Sequence, residues 1–205
     1  DGFCLFDSQY TDYKSTNTPC GKDIVREYLD AFRAEGLRVG LYFSVIDWHH
    51  PDFPHYGDAH HPMRNHPECS NEHRDFDRYL AYMHGQVREL CENYGKIDIL
   101  WFDFSYSDNN GTGDRAWMKG KGKDDWESEK LIALARSLQP GIIIDNRAEL
   151  EQDFNDIRAE LREAGKDSSG RYVLEVGIAS DEMTKVVTMT IYDGNGNLCN
   201  ISDYV

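Results

Sequence analysis

Apolar positions along this chain switch between two spacings, and the switching predicts an alternation of helices and strands. Residues 1–22 are irregular, with Thr18-Pro19 and Gly21 marking turns. Asp23 is a residue type that caps a helix, and Ile24, Val25, Tyr28, Leu29 and Phe32 follow at helical spacing, with Gly36 suited to the C-terminal cap. Leu37 to Ile46, rich in Val, Tyr and Phe, predicts a strand. After a polar loop, Arg74 to Tyr94 predicts the clearest helix, with Phe76, Tyr79, Leu80, Met83, Val87, Leu90 and Cys91 on one face and Gly95 as its stop. Ile97 to Phe102 predicts the next strand, Trp126 to Leu138 the next helix, and Ile142-Ile143-Ile144 a third strand ending at Asp145-Asn146-Arg147.

Helix, strand, helix, strand, helix, strand is the order of parallel β/α units. The two long loops, 47–73 and 104–124, both follow strand C-termini, which is where barrels of this class build their sites. From Ala148 the pattern changes. Glu149 to Glu163 is charged and read as helical. Arg171 to Ile178 and Lys185 to Tyr192 read as antiparallel strands, and Asp193-Gly194-Asn195-Gly196 is a turn signal. The expected division is therefore a β/α part over 1–147 and a β-rich tail over 148–205 that matches no further β/α unit. A full eight-unit barrel takes roughly 250 residues. Three strands are visible and a fourth is implied before Asp1, so the chain reads as a small open α/β domain or as a piece of a barrel. It opens on Asp1-Gly2-Phe3 with no Met, and residues are expected to precede it.

Composition narrows the partners. The chain has 205 residues, 40% of them apolar and 12% aromatic, and a formal charge of −15. That charge argues against nucleic acid or an anionic membrane as partner and suits a neutral ligand. No apolar run is long enough to cross a membrane, and no signal peptide is visible. Five widely spaced cysteines without a C-x-x-C form neither a zinc motif nor a dense disulfide framework; Cys91 is expected in the core.

The candidate chemistry starts at Ile99-Leu100-Trp101-Phe102-Asp103, an apolar run that leads straight into a carboxylate. Such a run predicts a parallel strand covered on both faces. The Asp at its tip is placed to attack a sugar carbon, to take a proton, or merely to cap the next helix. Trp101 lies two residues earlier on the same face and offers a ring to the apolar face of a sugar, or belongs to the core. Tyr42 and Trp48-His49-His50 can supply hydrogen bonds to hydroxyls or form a packed loop. Six of the eight histidines lie between Asp47 and Asn71, but His60, His61 and His66 fit no metal motif, and no metal is expected. Arg147 can hold a carboxylate or form a structural ion pair. Glu149, Glu151, Asp153 and Glu160 are the carboxylates available as a general acid, and each alone reads as a solvated residue.

These residues resemble a known family. Asp1-Gly2-Phe3-Cys4-Leu5-Phe6, Tyr10-Thr11-Asp12-Tyr13, Asp23-Ile24-Val25, Gly36 to Ser44, Asp47-Trp48-His49-His50-Pro51, Tyr79 to Arg88, Trp101-Phe102-Asp103 and Asp145-Asn146-Arg147 are similar, in this order, to the early barrel of family 29 α-L-fucosidases. The resemblance covers about residues 1–147. It implies an α/β fold, part of a (β/α)8 TIM-type barrel, and a retaining exo-hydrolase that releases terminal α-L-fucose from a fucosylated glycan without metal or cofactor. It implies Asp103 as nucleophile and Tyr42, Trp101 and Arg147 as sugar-contacting residues, with Trp48 and His50 over the same pocket. By analogy the location is secreted, periplasmic or lysosome-like. Two family features have no counterpart here: the His-His pair that stands immediately before the family's Asp-Gly-Phe, and the catalytic Glu after its Asn-x-Arg strand. Glu151 and Glu160 are candidates for the second, and neither is assigned. The alternatives are an inactive carbohydrate-binding remnant and a barrel glycosidase for another neutral hexose.

Overall fold

A computed structural model describes residues 2–108 and 110–150, together with the backbone of three strands in the remainder of the chain. The chain divides into two compact units, residues 1–150 and 151–205.

In the first unit, α1 (Ile24–Ala34), α2 (Phe76–Asn93) and α3 (Ser128–Leu138) alternate with β1 (Gly40–Ser44), β2 (Ile99–Asp103) and β3 (Ile143–Ile144). The sheet is parallel in the order β1-β2-β3, with Tyr42 opposite Trp101, Ser44 opposite Asp103 and Leu100 opposite Ile144. Two helix starts are capped, the first as its sequence predicts. Asp23 accepts the Arg26 N–H at 2.8 Å and Asp75 accepts the Arg78 N–H at 3.1 Å, and each satisfies one of the orphan donors of a first turn. Gly36 at φ +72° turns the chain out of α1 in the left-handed region that glycine adopts without strain.

One core forms between the helices and one face of the sheet. Leu29 of α1, Tyr79, Met83, Val87 and Leu90 of α2, and Leu131 and Ala135 of α3 pack with Phe43, Leu100, Phe102 and Ile144 of the strands. Cys91 is buried in it, as expected, and burial pushes its thiol up to about 11. The irregular N-terminal segment docks on α2 through a buried carboxylate: Glu89 accepts from the Ser8 hydroxyl at 2.7 Å and from the Gln9 N–H at 2.8 Å. A buried charge needs such donors to be tolerated.

Two expectations change. Trp126 lies just ahead of α3, because Glu127 at φ +50° breaks the helical path before Ser128, and its side chain is fully buried. The strands are also not covered on both faces within this unit. The helices cover the face of Phe43, Leu100 and Phe102, while Tyr42 is 59% exposed and Ile99 and Trp101 each 38% on the opposite face. The unbroken apolar run arises because both faces of β2 are apolar while one of them is open.

In the second unit, β4 (Val173–Asp181), β5 (Thr184–Tyr192) and β6 (Leu198–Cys199) form an antiparallel sheet in that order. The predicted helix to Glu163 lies outside the described residues from Glu151 onward, and so does the turn over Asp193–Gly196. No helix among the described residues is long and apolar enough to cross a membrane.

Candidate active site

The C-terminal tips of the parallel strands gather the candidate residues. β2 delivers Asp103 at its last position, β1 delivers Tyr42 one strand away, and the turn after β3 delivers Arg147. All three meet. Arg147 donates from Nε to Asp103 Oδ1 at 2.9 Å, and its Nη2 lies 2.8 Å from the same oxygen as an ion pair. The Tyr42 hydroxyl donates to Oδ2 at 3.2 Å. Burial, and then the Asp103 carboxylate, push the Tyr42 phenol up to about 12, so it remains a neutral donor.

A fourth residue joins them. The Tyr106 hydroxyl accepts from Arg147 Nη2 at 2.6 Å and donates to Asp103 Oδ1 at 3.3 Å, and the guanidinium carbon lies 5.8 Å from the centre of the Tyr106 ring. Nothing in the sequence singles out Tyr106 except its place three residues beyond Asp103. It sits in an aperiodic loop, and its partner Arg147 is remote in sequence.

The two oxygens of Asp103 are unequal. Oδ1 accepts from Arg147 Nε, from Tyr106 and from the Phe104 N–H at 2.9 Å, with Arg147 Nη2 beside it as an ion pair. Oδ2 carries only the Tyr42 hydroxyl. Phe104 reaches Oδ1 because its φ is +75°, in the left-handed region where a non-glycine residue is held at a cost of about 1–2 kcal/mol. Backbone strain thus sits directly after the carboxylate and turns the chain so that a backbone donor faces it.

Trp101 shares a face with Asp103 and lies opposite Tyr42 across the strand pair, with its ring partly open. Trp48 and His50 are placed differently. The His50 ring packs 4.3 Å from the Tyr82 ring and 5.3 Å from the Tyr79 ring, and its Nδ1 accepts the Asp52 N–H at 3.1 Å. Trp48 packs edge-on to His61 at 6.1 Å. Both belong to an aromatic layer over α2 rather than to the hydrogen-bonded cluster around Asp103. Burial lowers the pKa of His50, His60 and His61, and His55 falls to about 4. His61 uses Nδ1 as His50 does, accepting the Met63 N–H at 3.0 Å. These histidines are neutral packing residues of the loop. Among the described residues no three His, Cys, Asp or Glu side chains are grouped to hold a metal ion.

Glu149, a candidate acid, accepts the Ser107 N–H at 2.7 Å and so ties the turn after β3 to the loop after β2. Glu151, Asp153 and Glu160 lie outside the described residues. Asp145, at the end of β3, accepts the Phe102 N–H at 2.9 Å, and burial raises it to about 6.

A carboxylate at a parallel strand tip, gripped by an arginine and two tyrosines beside an open indole, is the kind of arrangement that glycoside hydrolases use on sugars. Comparison with known proteins makes this specific. The α-L-fucosidase family model matches residues 1–173, and the chain belongs to that family. An α-L-fucosidase 1 relative from Oryza sativa subsp. japonica is 34% identical over 148 residues, which is 70% of this chain and 22% of the relative. The structure of α-L-fucosidase isoenzyme 1 from Paenibacillus thiaminolyticus is 58% identical with a TM-score of 0.63, over 72% of this chain and 32% of that one. The Lactobacillus casei α-L-fucosidase AlfC in complex with α-L-fucose is 26% identical with a TM-score of 0.56, over 72% of this chain and 44% of that one. The chain thus spans about a fifth of the length of the curated relative and about a third of the Paenibacillus structure.

Proposed function

We propose that this chain carries the nucleophile half of a retaining α-L-fucosidase site. The observation that carries the reading is the asymmetry of Asp103. Three hydrogen bonds and the Arg147 charge converge on Oδ1, and one displaceable hydroxyl touches Oδ2. Oδ2 is the oxygen with lone pairs to spare, so it is the atom that attacks the anomeric carbon. The C1–O bond to the leaving group breaks as C1–Oδ2 forms, and the departing oxygen takes a proton from a second carboxyl about 5–5.5 Å from the first. Water then attacks C1 while the second carboxylate, now a base, takes its proton, and the C1–Oδ2 electron pair returns to Asp103 as fucose leaves. Arg147 and Tyr106 hold the carboxylate in its attacking orientation throughout, which is a contribution of geometry and charge.

Tyr42 and Arg147 are assigned to sugar hydroxyls as well as to Asp103, and Trp101 to the apolar face of the fucose ring. Trp48 and His50 are assigned to the loop that walls the pocket. The general acid is not assigned to any residue. No cofactor takes part, and the partner is a fucosylated glycan; a variant of AlfC has been solved with Fuca(1,6)GlcNAc. Residues 1–147 are read as part of a (β/α)8 barrel and 148–205 as a divergent tail. The open face of Tyr42, Ile99 and Trp101 supports this, since inward-pointing strand residues of a barrel are of that kind.

The test is incubation with 2-deoxy-2-fluoro-α-L-fucosyl fluoride, followed by intact mass and peptide mapping. Its fluoride leaves without an acid, and the fluorine at C2 slows both steps so that the ester accumulates. A 2-fluorofucosyl adduct on Asp103 is expected. An adduct on another residue overturns the assignment. No adduct on folded protein that still binds fucose favours the inactive carbohydrate-binding reading.

A further inference from the structure

The loops after β1 and β2 are joined to one another by a buried ion pair that the chemistry at Asp103 does not use. Lys121 Nζ pairs with Asp58 Oδ2, and their side chains are 14% and 2% exposed. The other Asp58 oxygen accepts the N–H groups of His60 at 3.0 Å and His61 at 2.9 Å, so the carboxylate also shapes its own loop. Two backbone hydrogen bonds reinforce the join, Ala59 N–H to Lys119 C=O and Lys119 N–H to Gly57 C=O, both at 2.9 Å. The rings of Tyr56 and Trp117 stack alongside at 4.7 Å.

Lys121 then connects the join to the site. Its backbone carbonyl accepts the Tyr106 N–H at 2.7 Å, and the His60 ring lies 5.1 Å from the Tyr106 ring. The lysine is therefore held by its side chain to one loop and holds Tyr106 with its backbone. A buried ion pair is weak evidence for stability, because desolvation offsets its attraction; its best-attested use is to fix register. We propose that Asp58 and Lys121 are the positioning pair of this site: they lock the two loops in one register and so keep the Tyr106 hydroxyl between Asp103 and Arg147. The inference rests on Asp103 being the nucleophile only for its effect on rate.

The experiment uses the full chain with Lys121→Met, Lys121→Arg, Tyr106→Phe and the Lys121→Met/Tyr106→Phe double variant, read in two ways. Hydrogen exchange by mass spectrometry reads the register without any sugar. Lys121→Met is expected to speed exchange of the Tyr106 and Ser107 amides at least tenfold, with residues 79–90 of α2 unchanged and Lys121→Arg near wild type. If 57–61 and 117–121 loosen while 104–107 keep their wild-type exchange, the proposal is overturned. The second readout is the rate of labelling by 2-deoxy-2-fluoro-α-L-fucosyl fluoride. Lys121→Met and Tyr106→Phe are expected to lower the saturated rate equally, about tenfold, with the half-saturating concentration unchanged and the double variant no slower. Independent, multiplying losses overturn the proposal. A wild-type chain that takes no label defeats the Asp103 reading alone, and the exchange result then decides the positioning pair. Where Lys121→Met fails to fold, Asp58→Asn, which keeps an acceptor for the His60 and His61 amides, is read in the same way.

Discussion

Arg147 holds Asp103 by a single oxygen: Nε donates to Oδ1 at 2.9 Å, and Nη2 lies 2.8 Å from it as an ion pair. A guanidinium more often spans both oxygens of a carboxylate. Here the Tyr106 hydroxyl takes part of the fork, at 2.6 Å from Nη2, and the guanidinium shifts to one side. The arrangement leaves Oδ2 facing Tyr42 and the open face of the sheet.

Arg147→Lys keeps the charge and loses the fork, since an ammonium does not reproduce the planar pair of bonds from Nε to Oδ1 and from Nη2 to Tyr106. One or two charge-assisted hydrogen bonds are lost, worth about 3 kcal/mol. Labelling by the fluorofucosyl fluoride should slow by about 10²-fold, while the far-ultraviolet circular dichroism stays as in wild type. A rate within threefold of wild type would mean that Arg147 forms a structural pair and does not orient the nucleophile.

Trp101 tests the sugar face separately from the chemistry. Its ring is partly open on the Asp103 side of the sheet and its partner across the strands is Tyr42. Trp101→Ala removes the stacking surface and leaves every hydrogen bond to Asp103 in place. The reagent concentration for half-maximal labelling should rise about tenfold, for about 1.4 kcal/mol of lost contact, with the saturated rate changed much less. A fall in the saturated rate at constant half-saturation would place Trp101 in the support of β2 instead.

The strands, the helices and the place of Asp103 at a strand tip were legible because each depends on local pattern. The 3.6-residue stripe from Tyr79 to Leu90, the cap at Asp23, and the apolar run into Asp103 all fit within a few turns of chain. Tyr106 was not legible, because its role is set by Arg147 and Lys121, which the fold brings from other loops. The packing of the histidines between Asp47 and Asn71 was not legible for the same reason. His55 stacks on His61 at 3.9 Å and accepts from Arg74 at 2.9 Å, contacts that composition alone does not announce. The covered sheet was over-read, since an apolar run records how apolar both faces are and not what lies against them.

His55 predicts an acid-sensitive loop. Burial, then His61 and Arg74, lower its folded pKa from 6.5 to about 4. Between those values the unfolded chain binds a proton that the folded chain excludes, so stability falls as pH drops through this window and levels off below it. His55→Asn, which retains an acceptor for Arg74, should show a shallower loss of the urea midpoint between pH 6.5 and 4. A slope identical to wild type would show that His55 titrates in the folded protein as it does in the unfolded chain.

Asp145 titrates over nearly the same range with the opposite sign. Burial raises its folded pKa from 3.8 to about 6, and the Phe102 N–H only partly compensates. Between pH 4 and 6 the folded chain holds a proton that the unfolded chain has released. Stability from this group is therefore greatest below about pH 4 and declines as pH rises to 6, the reverse of His55. Asn at this position keeps an acceptor for Phe102 and cannot ionise. Asp145→Asn should match wild type most closely near pH 4 and gain on it up to pH 6 and beyond, by at most about 2 kcal/mol given partial solvent access. Because the wild-type aspartate offsets part of the histidine loss, the variant should also lose stability more steeply than wild type as pH falls from 6 to 4. Urea unfolding at half-unit steps of pH measures both effects. A gain that does not vary with pH would show that the carboxyl is ionised throughout and that packing, not its charge, sets the difference.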